Sequence, residues 1–208
     1  DRVCWQRNRR ARTNTCERRP SLNHSGLSAA EIAELRALPL DEVQAAWQRA
    51  EDAGRRAGKL AAVVRSLCLA DLYYLLVRGC GRQDMVNPPA GCDGRFVFER
   101  VREVEAEPNG RLDLWSRGHY KSSTITFGLT IQDIVKNPDI TIGIFSHTRP
   151  IAKAFLRQIM RELETNKILH GAFPDVFWGE DIRQAPKWSE DEGLIVKRTS
   201  NPNESTVE

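Results

Sequence analysis

Lys121 and Ser122 stand where an apolar run gives way to a helical pattern. The stretch DLWSRGHYKSST, residues 113–124, continues the apolar Leu112 through Trp115. It then turns through four polar or small residues and enters the periodicity Ile125, Leu129, Gln132. A strand over residues 111–115, a tight loop, a lysine with a hydroxyl, and a helix are the parts that cradle a nucleotide triphosphate. Backbone N–H groups at the helix start face the phosphates, the ammonium meets the β and γ phosphates, and the hydroxyl ligates Mg²⁺. In these roles the sequence offers Gly118, His119 and Tyr120 as N–H donors, Lys121 as the phosphate cation and Ser122 as the Mg²⁺ hydroxyl. Ser123 is the alternative hydroxyl. ATP and Mg²⁺ are the implied cofactors. The strict pattern G-x-x-x-x-G-K-S/T is not met, because Trp115 and Tyr120 occupy its glycine positions. The competing reading is a plain strand–turn–helix whose lysine and serine merely fall in the first helical turn.

A second unit follows. Ile140 to Phe145 is an uninterrupted apolar, β-branched run, as a strand covered on both faces of a parallel sheet requires. Ser146 to Pro150 leads into a helix over Ile151 to Glu164, with Ile151, Phe155, Ile159 and Leu163 on one face. Two β–loop–α units predict an α/β fold of the P-loop NTPase class, a partial parallel sheet flanked by helices.

Over residues 110–165 the chain closely resembles the large terminase subunit of tailed bacteriophages, and the resemblance extends from about Leu69 to the end. It rests on Leu112 through Asp133, with SRGHYKS at 116–122, and on IGIFSHTRP at 142–150. Members of that family carry a deviant phosphate loop with an early arginine and no strict glycine before the lysine. The resemblance implies an N-terminal ATPase domain of a viral DNA-packaging motor, joined in the whole protein to a metal-dependent nuclease domain. It places Arg117 near the γ-phosphate, where it would stabilise charge during transfer. It also implies double-stranded DNA, a portal protein and a small terminase subunit as partners, a homo-oligomeric ring, and the host cytoplasm as the place of action. Two alternatives remain: another DNA-dependent ATPase of helicase-like type, and a non-catalytic relic or interaction domain.

Around this region the sequence predicts three parts: a basic, disordered tail over 1–25, a helical lead-in over 26–105, and a partial ATPase domain over 106–208. The first twenty residues carry seven arginines against Asp1 and Glu17, a net +5, so the rest of the +3 chain carries −2. Without apolar periodicity that charge reads as a tail rather than a nucleic-acid arm. In the lead-in, Ser28 and Glu31 form a capping box for a first helix that Pro39 stops. A second helix is expected over Asp41 to Ala57, a third over Leu60 to Val77, and a fourth over Phe96 to Val104. The Leu38 to Leu40 connection lacks a turn glycine, so these are packing helices rather than a DNA-reading pair. Residues 193–197 and 205–207 read as further strands.

Other chemistry is excluded or weak. The five cysteines form no C-x-x-C pair, so reduced thiols are expected, with Cys68 in the core. His24, His119, His147 and His170 make no pair at metal or triad spacing, and His119 serves either as a phosphate contact or as a turn residue. Glu190, Asp191 and Glu192, with Asp175, Glu180 and Asp181 upstream, read as a solvated loop. No apolar run reaches the roughly 18 residues that would span a bilayer. An apolar strand ending in an acidic residue, needed to hold Mg²⁺ and orient water, does not follow the loop. Leu67 to Asp71 has that composition but reads as helix. The acidic strand is expected beyond Glu208, so nucleotide is expected to bind weakly to this chain without being hydrolysed.

Overall fold

The computed structural model describes residues 4–7, 26–89, 91–108 and 112–208, with 4–7 and 180 described at the backbone alone. Ser28 opens the first helix, α1 (Ala29–Ala37): its hydroxyl accepts from Glu31 N–H, and the Glu31 carboxylate accepts from Ser28 N–H at 2.8 Å. Pro39 stands at the N-cap of α2 (Leu40–Arg56), where a missing N–H costs nothing. α2 turns Val43, Ala46 and Trp47 inward.

The expected helix from Leu60 to Val77 is two. α3 (Leu60–Ala70) and α4 (Leu72–Gly79) meet at a bend of 118°. At the bend Asp71 takes an extended backbone (φ −138°, ψ 106°), and its buried carboxylate caps Tyr74 N–H at 3.0 Å. Arg102 pairs with the same carboxylate at 2.8 Å. The pair forms the centre of the core: Leu67, Cys68, Leu72, Tyr73, Tyr74, Leu75, Leu76 and Val77 are all buried. Trp47 lies edge-on to Tyr74, with centroids 5.1 Å apart. No single helix among the described residues is long and apolar enough to cross a membrane. α3 and α4 owe their apolar character to this core.

α5 (Gly94–Ala106) packs Val97, Phe98, Val101 and Val104 onto α4. Residues 121–136 form one continuous helix, α6. Its Ser123–Leu129 part has π-type hydrogen bonding, and its Thr130–Lys136 part is regular. Glu105 ties α5 to both neighbours. Its carboxylate accepts from Leu72 N–H at the bend (2.9 Å) and from Gln132 of α6 (3.0 Å), and it pairs with Arg36 at 2.9 Å. A buried carboxylate with this many partners is costly to disturb: removing one member of such a set costs roughly 3–5 kcal/mol.

The parallel sheet predicted from the sequence is not formed, and the α/β P-loop fold is corrected accordingly: among the described residues the chain is mainly helical. β1 (Cys4–Arg7) pairs antiparallel with β2 (Ile142–Phe145), Cys4 opposite Phe145 and Arg7 opposite Ile142. β3 (Trp188–Ser189) pairs antiparallel with β4 (Gly193–Leu194). Val207 joins them, antiparallel to Leu194 and, by a single bridge, parallel to Ile142. The predicted strand at 111–115 is absent where described. Residues 112–116 have no regular structure, and Leu112 and Leu114 are 80% and 78% exposed. The reason is competition for edges. On one side of β2, Ile142 and Ile144 donate to Thr206 and Glu208 at 2.9 and 2.8 Å, and β1 takes the other. A strand needs a neighbour for its backbone groups, and β2 has no edge left for 112–115. α7 (Arg149–Thr165) then covers β2 with Leu156, Ile159, Met160 and Leu163 buried; of the predicted face Ile159 and Leu163 are buried, while Ile151 and Phe155 are half-buried. α8 (Lys167–Ala172) follows after Asn166. Apart from the backbone of Cys4–Arg7, the predicted tail lies outside the described residues.

Candidate functional site

The loop ahead of α6 is built on two left-handed residues. Gly118 has φ 84° and Tyr120 has φ 60°. The first is natural for glycine; the second costs a tyrosine roughly 1–2 kcal/mol. Between them His119 N–H reaches back to Ser116 O at 3.4 Å, closing a turn. Thr124 N–H bonds Tyr120 O at 2.8 Å, so the helix begins at once, with Lys121 and Ser122 in its first turn. A left-handed residue directly before a right-handed helix turns successive N–H groups toward one concavity, where the positive end of the helix also points.

The two loop cations flank that turn. Arg117 is exposed and Lys121 half-buried, and neither side chain has a hydrogen-bond or ion-pair partner among the described residues. Ser122 and Ser123 are half-buried beside Lys121. Arg117, Gly118, His119, Tyr120, Lys121, Ser122 and Ser123 are thus brought together by the turn alone, without a preceding strand. Of the three backbone donors expected to face phosphate, His119 N–H is committed to the turn. The His119 ring nitrogen Nδ1 lies 3.2 Å from Arg117 O.

Three residues that the sequence reading passed over hold this loop. The Tyr120 hydroxyl donates to Asp84 O at 3.0 Å, and the Arg82 guanidinium lies over its ring, 5.9 Å from the centroid. Arg82 in turn grips the Asp84 carboxylate with two bonds of 3.1 Å. The Arg82 hydrogen bond holds the Asp84 carboxyl below its usual range, whereas burial pushes the Tyr120 phenol up. On the far side Phe96 of α5 stands edge-on to His119 at 5.4 Å and to Trp115 at 6.3 Å. The only local hint in the sequence was the polar Arg82-Gln-Asp84 run after Gly79 and Gly81. Nothing in it announces a contact 36 residues away.

The acidic loop 190–192 is solvated as expected, and two of its carboxylates, Glu190 and Asp191, are also ion-paired. Arg157 of α7 makes bonds of 2.5 and 2.6 Å to Glu190. Asp191 pairs with Lys153, and with Arg149 at 3.0 Å. These contacts lower both carboxyls, Glu190 through Arg157 and Asp191 through Lys153. They line a cleft of about 420 Å³ with Ile144, Leu156 and Lys187. Every pair there is solvent-exposed and of small worth. Among the described residues no group of three or more histidine, cysteine or acidic side chains could hold a metal ion. Asp71, whose approach had the composition of an acidic strand, is spent on capping and on Arg102.

No known protein family, curated protein or solved structure matches this chain.

Proposed function

We propose that the loop 116–122 binds the phosphates of ATP with Mg²⁺, and that the chain is the ATP-binding part of a viral DNA-packaging ATPase of the terminase large-subunit kind. One observation carries the phosphate reading. Arg117 and Lys121, both without partners among the described residues, bracket a left-handed turn at the start of α6. Two unspent cations beside oriented N–H groups favour a compact polyanion over a neutral ligand. Lys121 neutralises the β and γ phosphates, Ser122 or Ser123 provides the hydroxyl for Mg²⁺, and Arg117 reaches the γ-phosphate. Support for the motor, and for duplex DNA, a portal protein, a small subunit and a ring of copies in the host cytoplasm as its setting, is the resemblance over residues 110–165.

Calorimetric titration of the chain with Mg²⁺·ATP tests it. Lys121→Ala removes a charge-assisted contact and is expected to weaken binding by about 10- to 100-fold without lowering the melting temperature. Equal affinity in the variant and the parent chain would remove Lys121 from the site.

A further inference from the structure

We infer that Tyr120 is the positioning residue of this loop, acting as a latch that holds the turn in its binding shape. The inference rests on the phosphate-binding reading above.

A tyrosine at φ 60° is an unfavourable choice where the backbone would accept glycine at no cost. Such a conformation persists when its surroundings over-determine it. Here they do. The hydroxyl is anchored on Asp84 O, the ring lies under Arg82, and Arg82 is fixed by its two bonds to Asp84. The platform is itself rigid. Gln83–Met85 is a tight helical turn closed by Met85 N–H on Arg82 O at 3.1 Å, and the Met85 side chain is fully buried. Tyr120 directly precedes Lys121 and its carbonyl accepts the first bond of the helix. The latch therefore fixes both the direction in which Lys121 leaves the backbone and the start of α6. Gly118, by contrast, lies where an added Cβ would meet nothing within 4 Å. A glycine at 120 would relieve the strain and set the loop free, so the two properties predict opposite outcomes.

The full chain is tested with Tyr120→Phe, which keeps the ring and drops the hydroxyl, and Tyr120→Gly, which drops both. Trypsin cleavage after the exposed Arg117, without nucleotide, reads the loop directly. Loss of the hydroxyl bond is expected to speed it about fivefold in Tyr120→Phe, and further in Tyr120→Gly. Mg²⁺·ATP affinity should fall in the same order, by about fivefold for the phenylalanine. In a Lys121→Ala background Tyr120→Phe should lower affinity less than it does in the parent chain, because Tyr120 acts in part through Lys121. Arg82→Ala, at a half-buried side chain, gives the same cleavage readout should either Tyr120 variant not fold.

Tighter or equal ATP binding by Tyr120→Gly, with the parent chain binding normally, overturns the latch and leaves the site standing. Unchanged cleavage in Tyr120→Phe and in Arg82→Ala also overturns it. No ATP binding by the parent chain overturns the site and the role of Tyr120 in it together.

Discussion

Asp139 shows what one half-buried carboxylate can hold. It accepts from Thr199 N–H at 2.7 Å, from Ser200 N–H at 2.9 Å and from the Thr199 hydroxyl, so it fastens the approach to β2 onto the turn at 199–201. Arg198, beside it, donates to Asp139 O at 2.7 Å and to Ile140 O at 3.1 Å. Burial pushes the Asp139 carboxyl up, but the N–H and hydroxyl donors and Arg198 outweigh it, so its pKa lies below the usual aspartate value. The sign follows from linkage. A carboxylate with a depressed folded pKa stabilises the fold at every pH above its unfolded value, about 3.9, and that stability is lost as pH falls through the lower folded value. Urea midpoints of the parent chain are therefore expected to hold at neutral pH and decline below about pH 4. Asp139→Asn should be less stable than the parent at pH 7 and should lose less between pH 4 and 3. An identical acid slope in the two chains would show that Asp139 does not contribute. At Cys68 no such donors oppose burial, which with the nearby Asp71 and Glu51 carboxylates pushes the thiol up, so it stays protonated at neutral pH, inert in the core where the sequence placed it.

Between elements, α6 crosses α4 closely at Gly128. A Cβ on Gly128 would come 2.5 Å from Leu76 Cδ2 and 2.8 Å from its Cγ, and Leu76 is fully buried. Two effects oppose each other in Gly128→Ala. Alanine gains about 1 kcal/mol in helix propensity. Overpacking a closed core costs about 1–3 kcal/mol. The second wins, because three carbons of Leu76 lie within 3.1 Å and Leu76 has no solvent side to move into. A net loss of about 1–2 kcal/mol is expected by urea unfolding; a more stable variant would show that the helices can separate freely. The same contrast between local and distant causes explains what was legible in the sequence. The capping box at Ser28, the stop at Pro39, and the 3.6-residue stripe of α7 are local signals, and the elements stand where those signals put them. The bend at Asp71 is not local, since it depends on Arg102 and Glu105 from another helix. The strand at 111–115 fails for the same reason: apolar composition says a segment can pair but not that a partner edge is free. At the candidate site, the residues of the turn were legible from their types and order. Arg82, Asp84 and Phe96, which hold the turn, were not, because nothing in their own neighbourhood points toward residue 120.

For the molecule as a whole, β2 is the seam on which the helical body and the C-terminal hairpin meet. Leu156 and Ile159 of α7 are buried beside Ile142 and Ile144, and Val207 binds β2 to β4. Along a strand, successive N–H groups point to opposite edges. Ile142 and Ile144 donate toward 206–208, so Gly143 and Phe145 donate toward β1. The two sets of amides therefore depend on different parts of the chain, and hydrogen exchange separates them. In the full chain all four amides are expected to be protected. In a chain lacking residues 1–25, Gly143 and Phe145 should lose protection, while Ile142 and Ile144 keep theirs through Thr206 and Glu208. The bared edge would then present unpaired donors and acceptors next to Phe145, which is 55% exposed, and such an edge recruits other strands. The shortened chain is accordingly expected to self-associate more readily than the parent in light scattering. Should Gly143 and Phe145 keep their protection and the shortened chain stay monomeric, β1 does not cover that edge in solution.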